Sequence, residues 1–235
     1  AFLELCIHSV LRATRNMDAE IIVADNNSTD SSLQMLHFVF RDKVKVIAHE
    51  ENYGFSKGNN LAVKEAKGEF LCILNPDITF FENPFRDLLA CFKNESLAMV
   101  APAVVSVEGS LEDNVRHFPT IGNLVMKLVG MDTSRIVDMS TDCVPIPWAA
   151  GMFLLVKSKA FASVEGFDQG YYLYYEDVDL CARLWLSGWR VGHLRTAVVV
   201  HDARRDSRKH LNFFFMHFIS LCRYMYRYRL GVSVP

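Results

Sequence analysis

The feature that most constrains this chain is the run Glu69-Phe70-Leu71-Cys72-Ile73-Leu74, which ends in Asn75-Pro76-Asp77. Apolar residues without alternation read as a strand buried on both faces of a parallel sheet. In an open α/β sheet the ligand crevice lies beyond the carboxyl ends of such strands, so Asp77 is delivered to that crevice. A carboxylate there suits a hard divalent cation carrying phosphates, because Mg²⁺ takes one or two carboxylates and fills its other positions with phosphate oxygens and water. The same residues also fit a plain strand-ending turn, with Pro76 blocking further pairing and Asp77 capping the next segment.

Two further segments shift that balance. The apolar stretch Glu20-Ile21-Ile22-Val23-Ala24 also runs straight into polar residues, Asp25-Asn26-Asn27-Ser28-Thr29-Asp30. Two strands therefore end in Asp where a nucleoside diphosphate needs a base-reading group and a metal-holding group. Downstream, Tyr174-Tyr175-Glu176-Asp177-Val178-Asp179-Leu180 sets three acids at the start of a helical pattern that Gly188 stops. Acids in a first turn complement the helix dipole, but the flanking aromatics read as a pocket wall.

Taken in order, these pieces resemble the inverting glycosyltransferases of family 2, which have the GT-A fold, and within them the bacterial rhamnosyltransferase-like branch. The resemblance extends through Asn52-Tyr53-Gly54-Phe55-Ser56-Lys57-Gly58-Asn59-Asn60, Trp148-Ala149-Ala150-Gly151-Met152, Gly166-Phe167-Asp168 and His201 ahead of Arg204-Arg205-Asp206-Ser207. It implies an α/β fold, a GT-A-type mostly parallel sheet flanked by helices, with a C-terminal helical tail. It implies a nucleotide diphosphate sugar donor held by Asp25, Asn27, Lys57, Asn59, Asn75, Trp148 and Gly151, and a glycan or lipid-linked acceptor. By the same resemblance Asp77 and His201 hold Mg²⁺ or Mn²⁺, with Asn75 in place of the first acid of an Asp-X-Asp motif. Asp177 matches the catalytic base, and Glu176 competes for that role, since adjacent residues at a helix start cannot be ranked without geometry. The sugar implied is rhamnose, on a thymidine nucleotide, for cell-surface polysaccharide synthesis.

The chemistry requires such parts. A sugar hydroxyl is a poor nucleophile at neutral pH, and a positioned carboxylate that accepts its proton is worth roughly 10²–10⁴-fold in rate. One direct displacement inverts the anomeric centre without an enzyme nucleophile. Cys6, Cys72, Cys91, Cys143, Cys181 and Cys222 are scattered without metal-binding spacing, which reads as buried thiols in a cytoplasmic protein. A formal net charge of −2 argues against bulk nucleic-acid affinity. No stretch reaches the ~18 apolar residues of a membrane span.

Along the chain, strands are expected at residues 20–24, 44–49, 69–74, 97–105, 152–156 and 197–200, and helices at 31–40, 57–66 and 84–94. Residues 106–145 show no clear period and read as loop-rich. The catalytic domain is placed at residues 1–202 and a basic, aromatic tail at 203–235. That tail fits a peripheral contact with the inner face of a membrane, a homodimer contact, or a helix packed on the catalytic domain.

The family normally opens with an apolar strand, whereas Leu5, Ser9 and Arg12 have the spacing of the helix that comes after it. The first strand is therefore expected to be missing, with the strands at 20–24 and 69–74 closing up to pair directly or being bridged by another segment. A catalytically impaired nucleotide-sugar-binding protein is the alternative this raises, and a nucleotidyltransferase is a second. No G-x-G-x-x-G follows a strand, so a dinucleotide oxidoreductase is not indicated.

Overall fold

The computed structural model describes residues 2–134, 136, 140–202, 211–228 and 232. The chain runs α1 (Phe2–Ala13), β1 (Ile22–Asp25), α2 (Ser32–Val39), β2 (Lys45–Ala48), α3 (Gly54–Val63), β3 (Phe70–Leu74), β4 (Ile78–Thr79), α4 (Phe85–Cys91) and β5 (Leu97–Ser106). It continues through β6 (Val115–Arg116), α5 (Ile121–Leu128), β7 (Val144–Pro145), β8 (Trp148–Ala149), β9 (Phe153–Lys157), α6 (Ser158–Ser163), α7 (Glu176–Leu186), β10 (Arg190–His201) and α8 (Leu211–Arg227).

The main sheet is mixed, in the order β3-β9-β5-β10-β4, with β7 also on β10. Strands β5 and β10 are parallel, and β9 lies antiparallel between β3 and β5, so β3, β5 and β10 all point the same way. Their carboxyl ends share one edge of the sheet. Strand β5 is buried on both faces: Ala98, Met99 and Ala101 join the cluster under α6, α7 and α8, while Val100 and Val104 join the cluster with Phe85 and Leu88 of α4. Fully burying a side chain of that size contributes about 1.5–3 kcal/mol, so this strand anchors the three layers.

The run at 69–74 takes a different place from the one expected. Strand β3 is antiparallel to β9 and sits at the sheet edge, with Leu71 and Ile73 buried and Phe70, Cys72 and Leu74 half-buried. An apolar run reports burial but not which neighbours supply it, and it is β5 and β9, inside the sheet, that have both faces covered.

Nor do the strands at 20–24 and 69–74 pair. Strand β1 forms a separate two-stranded parallel sheet with β2. The opening segment is helical, as its spacing indicates, and α1 spans both regions: Ile7 packs with Leu36 and Phe40, while Val10 and Ala13 pack on the cluster around Phe80 and Phe85. Side chains of α1, not strand pairing, connect the two sheets. The Arg12 guanidinium adds a hydrogen bond to the Phe80 carbonyl.

Two elements exceed the sequence expectation. Residues 106–145 contain helix α5, whose Thr120 hydroxyl accepts the Asn123 N–H at 3.1 Å as an N-cap. Strand β10 extends well before 197–200 because it pairs with β5 from Arg190 on; Arg190, His193 and Arg195 interrupt the apolar pattern there, and the register on β5 shifts between Leu194 and Val198. The Arg204-Arg205-Asp206-Ser207 segment lies outside the described residues. No helix among the described residues is long and apolar enough to cross a membrane.

Candidate active site

Asp77 lies just past the carboxyl end of β3, and His201 closes β10. Their strands bring them together: the His201 Nε2 lies 3.4 Å from Asp77 Oδ2, and the Asp202 N–H donates to the Asp77 carbonyl at 2.9 Å. On its other side His201 Nδ1 meets Glu112 Oε2 at 2.8 Å, so a second carboxylate fixes the ring from behind. The hydrogen bond to Asp77, reinforced by Glu112, pushes the His201 imidazole up to about 9. Asp77 Oδ1 is buried and has no hydrogen-bond partner.

That orphaned oxygen is the observation against which a divalent cation can be tested. Among the described residues no group of three or more His, Cys, Asp and Glu side chains has the geometry to hold a metal by itself. A cation that arrives on a diphosphate needs only one or two protein carboxylates, and Asp77 with His201 fits that demand. To hold a cation, His201 would have to be neutral, because a ligating imidazole carries no proton on the liganding nitrogen.

Asp177 lies at the start of α7. Its Oδ2 accepts the Gly151 N–H at 2.8 Å and its Oδ1 accepts the Val178 N–H at 2.7 Å. Gly151 precedes β9, and next to it Met152 O accepts the Asn75 N–H at 3.0 Å. The turn that carries Asp77 is thus laced to the turn that holds Asp177. A Cβ on Gly151 would meet Asp177 at an ordinary 3.5 Å, so the site uses this residue's N–H and not its lack of a side chain.

Tyr174 and Tyr175 both adopt left-handed backbone, at φ 70° and 65°, immediately before Glu176. Consecutive tyrosines in that region are costly and persist only where packing holds them. Here the rings of Tyr174 and Tyr175 pack on His217 of α8, at 5.3 and 5.2 Å between centroids. The sharp turn buries Glu176, leaving it 6% exposed with its Oε2 unpartnered. Burial first, then the neighbouring Asp177 charge, pushes the Glu176 carboxyl up to about 8, so it is neutral at pH 7. Burial also raises Asp177, but its two N–H donors favour the ionised form. Of the adjacent acids, Asp177 is the one whose two carboxylate oxygens both accept backbone N–H groups.

The remaining sequence candidates are more dispersed. Asp25 is buried and caps its own turn, with Oδ2 accepting the Ser28 N–H at 3.0 Å. Asn27 is exposed with a left-handed φ of 62°. The Lys57 ammonium lies 3.4 Å from the Tyr53 ring centroid, Asn59 donates to the Phe55 carbonyl, and the Trp148 indole donates to the His117 carbonyl. Gly54 is required by the protein itself: its φ is +74° and a Cβ would meet the Tyr172 carbonyl at 2.4 Å.

Residues 1–152 match the family described as Glycosyl transferase family 2. The chain belongs to that family. This family 2 member is 33% identical over 191 residues to the rhamnosyltransferase WbbL of Escherichia coli strain K12, covering 76% of this chain and 72% of that protein. It is 26% identical over 234 residues to the N-acetylglucosaminyl-diphospho-decaprenol L-rhamnosyltransferase of Mycobacterium tuberculosis, covering 89% and 76%. Among solved structures it is similar to GalNAc-T7 with UDP, GalNAc and Mn²⁺, at TM-score 0.66 and 17% identity over 86% of this chain. It is likewise similar to Staphylococcus aureus TarS with UDP, at TM-score 0.58 and 19% identity. This chain spans 41% of the first of those structures and 57% of the second. These likenesses establish a GT-A-like α/β fold.

Several residues that support the site escaped the sequence reading. Glu112 is 89 positions from its partner His201 and lies in a segment without period. Asp179, fully buried, binds Arg183 Nε at 2.7 Å and the Tyr228 hydroxyl at 2.8 Å, with Arg227 at 3.2 Å. The i,i+4 spacing of Asp179 and Arg183 was visible in sequence; the closure by α8 was not.

Proposed function

We propose that this family 2 glycosyltransferase is an inverting, metal-assisted rhamnosyltransferase, moving the deoxyhexose from a nucleoside diphosphate donor to a lipid-linked glycan acceptor in cell-surface polysaccharide synthesis. The observation that carries this reading is the pair of backbone tethers, Asn75 N–H to Met152 O and Gly151 N–H to Asp177 Oδ2, which set the metal-holding turn and the proton acceptor at one end of the sheet. The two rhamnosyltransferase relatives support the sugar, and the decaprenol-linked acceptor in one of their names supports the acceptor class.

In this reading Asp77 and His201 hold the diphosphate end of the donor, with Glu112 orienting the imidazole. Mg²⁺ or Mn²⁺ bound there supplies charge that stabilises the leaving nucleoside diphosphate. Asp25, Asn27, Lys57, Asn59, Asn75 and Trp148 line the nucleotide and sugar side. Asp177 takes the proton from the acceptor hydroxyl as that oxygen bonds to the anomeric carbon and the anomeric bond to phosphate breaks. Glu176, neutral and buried, keeps a second negative charge away from the departing diphosphate.

The test is turnover of thymidine diphosphate rhamnose with an N-acetylglucosaminyl diphosphate polyprenol acceptor, alongside donor binding by calorimetry. Asp177→Asn should abolish turnover while preserving donor affinity. A wild-type chain that binds no nucleotide sugar with or without Mn²⁺ would overturn the reading.

A further inference from the structure

Helix α3, which carries Lys57 and Asn59, is bound through one buried asparagine to the loop that leads into α7. The Asn60 amide engages both backbone groups of Phe167: its Nδ2 donates to the Phe167 carbonyl at 2.7 Å, and its Oδ1 accepts the Phe167 N–H at 3.0 Å. The two residues lie 107 positions apart. Glycine before Phe167 is a condition of that grip, because Gly166 has a φ of +69° and a Cβ there would meet Asn60 Oδ1 at 2.6 Å. A buried amide satisfied in this way fixes the backbone firmly, since releasing it strands donors and acceptors away from water.

From Phe167 the contact continues toward the site as ring packing. The Phe167 ring meets Phe161 and Phe55 edge-on, each at 5.4 Å between centroids. Phe55 lies in the first turn of α3, and its N–H donates to the Tyr172 carbonyl at 2.9 Å, so the loop is held on α3 at Phe167 and again at Tyr172. The Phe55 ring also reaches Gly151: its Cζ lies 3.6 Å from the point that a Cβ on Gly151 would occupy, and Asp177 Cβ lies 3.5 Å from the same point. Gly151 is the residue whose N–H binds Asp177 Oδ2 at 2.8 Å. Asn60, Phe167, Phe55 and Gly151 thus form one series of contacts that ends at the Asp177 carboxylate.

A series that served stability alone would, when broken, loosen the sheet and the site together. One that aims a side chain would loosen the Gly151–Asp177 bond ahead of the rest, because that bond is its part-buried end. We propose that Asn60 and Phe55 are positioning residues for Asp177, bracing the Gly151 turn so that its N–H keeps the carboxylate in place. The role of Asp177 as proton acceptor rests on the function proposed above; the link from Asn60 to the Gly151–Asp177 bond does not.

The test compares amide hydrogen exchange, donor binding and turnover in wild type, Asn60→Ala and Phe55→Leu. Phe55→Leu removes the ring while leaving the Asn60 amide paired, so it decides the matter where Asn60→Ala does not fold. In both variants the Gly151 amide should exchange at least ~10-fold faster than in wild type, relative to the amides of β5 in the same molecule, which report global opening. Turnover per donor-binding site, counted by calorimetry, should fall about 10- to 100-fold with donor KM unchanged, as expected when a reacting group is misplaced by a fraction of an ångström. Gly151 exchange that changes only in step with β5 would overturn the proposal. So would a raised donor KM at unchanged kcat, which would put Asn60 and Phe55 on the donor side. The two readings fail separately: selectively faster Gly151 exchange in variants of a wild type that turns over no sugar donor refutes the transferase and supports the coupling, whereas wild-type turnover with Gly151 exchange unchanged in Phe55→Leu refutes the coupling.

Discussion

Replacing Glu176 by Gln tests whether a buried, neutral acid stands next to the proposed base. Glu176 is 6% exposed, and its carboxyl is raised from 4.5 to about 8 by burial and by Asp177. Because the folded pKa lies above the unfolded one, the native state binds more protons than the unfolded state between pH 4.5 and about 8. Stability must therefore fall as pH rises through that window, with no slope from this group below it. At ~1.4 kcal/mol per pH unit the interval sums to at most about 5 kcal/mol, a large share of the ~5–15 kcal/mol that holds a typical domain together. Glu176→Gln keeps the shape and stays neutral at every pH, so it should match wild type near pH 5 and exceed it near pH 8. Urea denaturation of both proteins in steps from pH 5 to 8 measures this, and the difference between them cancels groups common to both, His201 included. A difference between the two proteins that stays flat with pH, or that favours wild type at pH 8, would refute a buried neutral Glu176.

The other predictions address the base, the metal-holding pair and the support beneath them. Asp177→Asn should cut turnover by roughly 10²-fold or more with donor affinity unchanged, and a larger loss from Glu176→Gln would transfer the base to that residue. Asp77→Ala should abolish the Mn²⁺-dependent part of donor binding in calorimetry, His201→Ala should weaken it less, and Glu112→Gln should weaken metal affinity by about 10-fold through loss of ring orientation. Tyr228→Phe, which removes one of the bonds to buried Asp179, should lower stability by about 1–2 kcal/mol, and Asp179→Ala by about 3–5 kcal/mol because Arg183 and Arg227 lose their shared partner. Thermal melts that leave Asp179→Ala within 1 kcal/mol of wild type, as an order-of-magnitude bound, would contradict a structural role for that network.

Which apolar runs end in polar side chains was legible from residue order alone. Apolar runs stopping at Asp25, Asp77 and His201, and an acidic helix start at Glu176 and Asp177, are local patterns, and local patterns survive folding because hydrophobic periodicity selects the elements and their faces. The same logic located α1 from its spacing, although the expectation that strands 20–24 and 69–74 would pair failed, since pairing depends on what else occupies the space between them. Only packing in three dimensions made β3 an edge strand and β5 the buried one, for both runs look equally apolar. Packing also gave the two adjacent acids different surroundings, because burial and the Gly151 N–H act through space. It placed Glu112 behind His201 and Tyr228 on Asp179, contacts across 89 and 49 residues that no spacing rule encodes. Side chains distant in sequence meet only where packed elements bring their ends to one edge of a sheet, and that packing is a property of the whole chain.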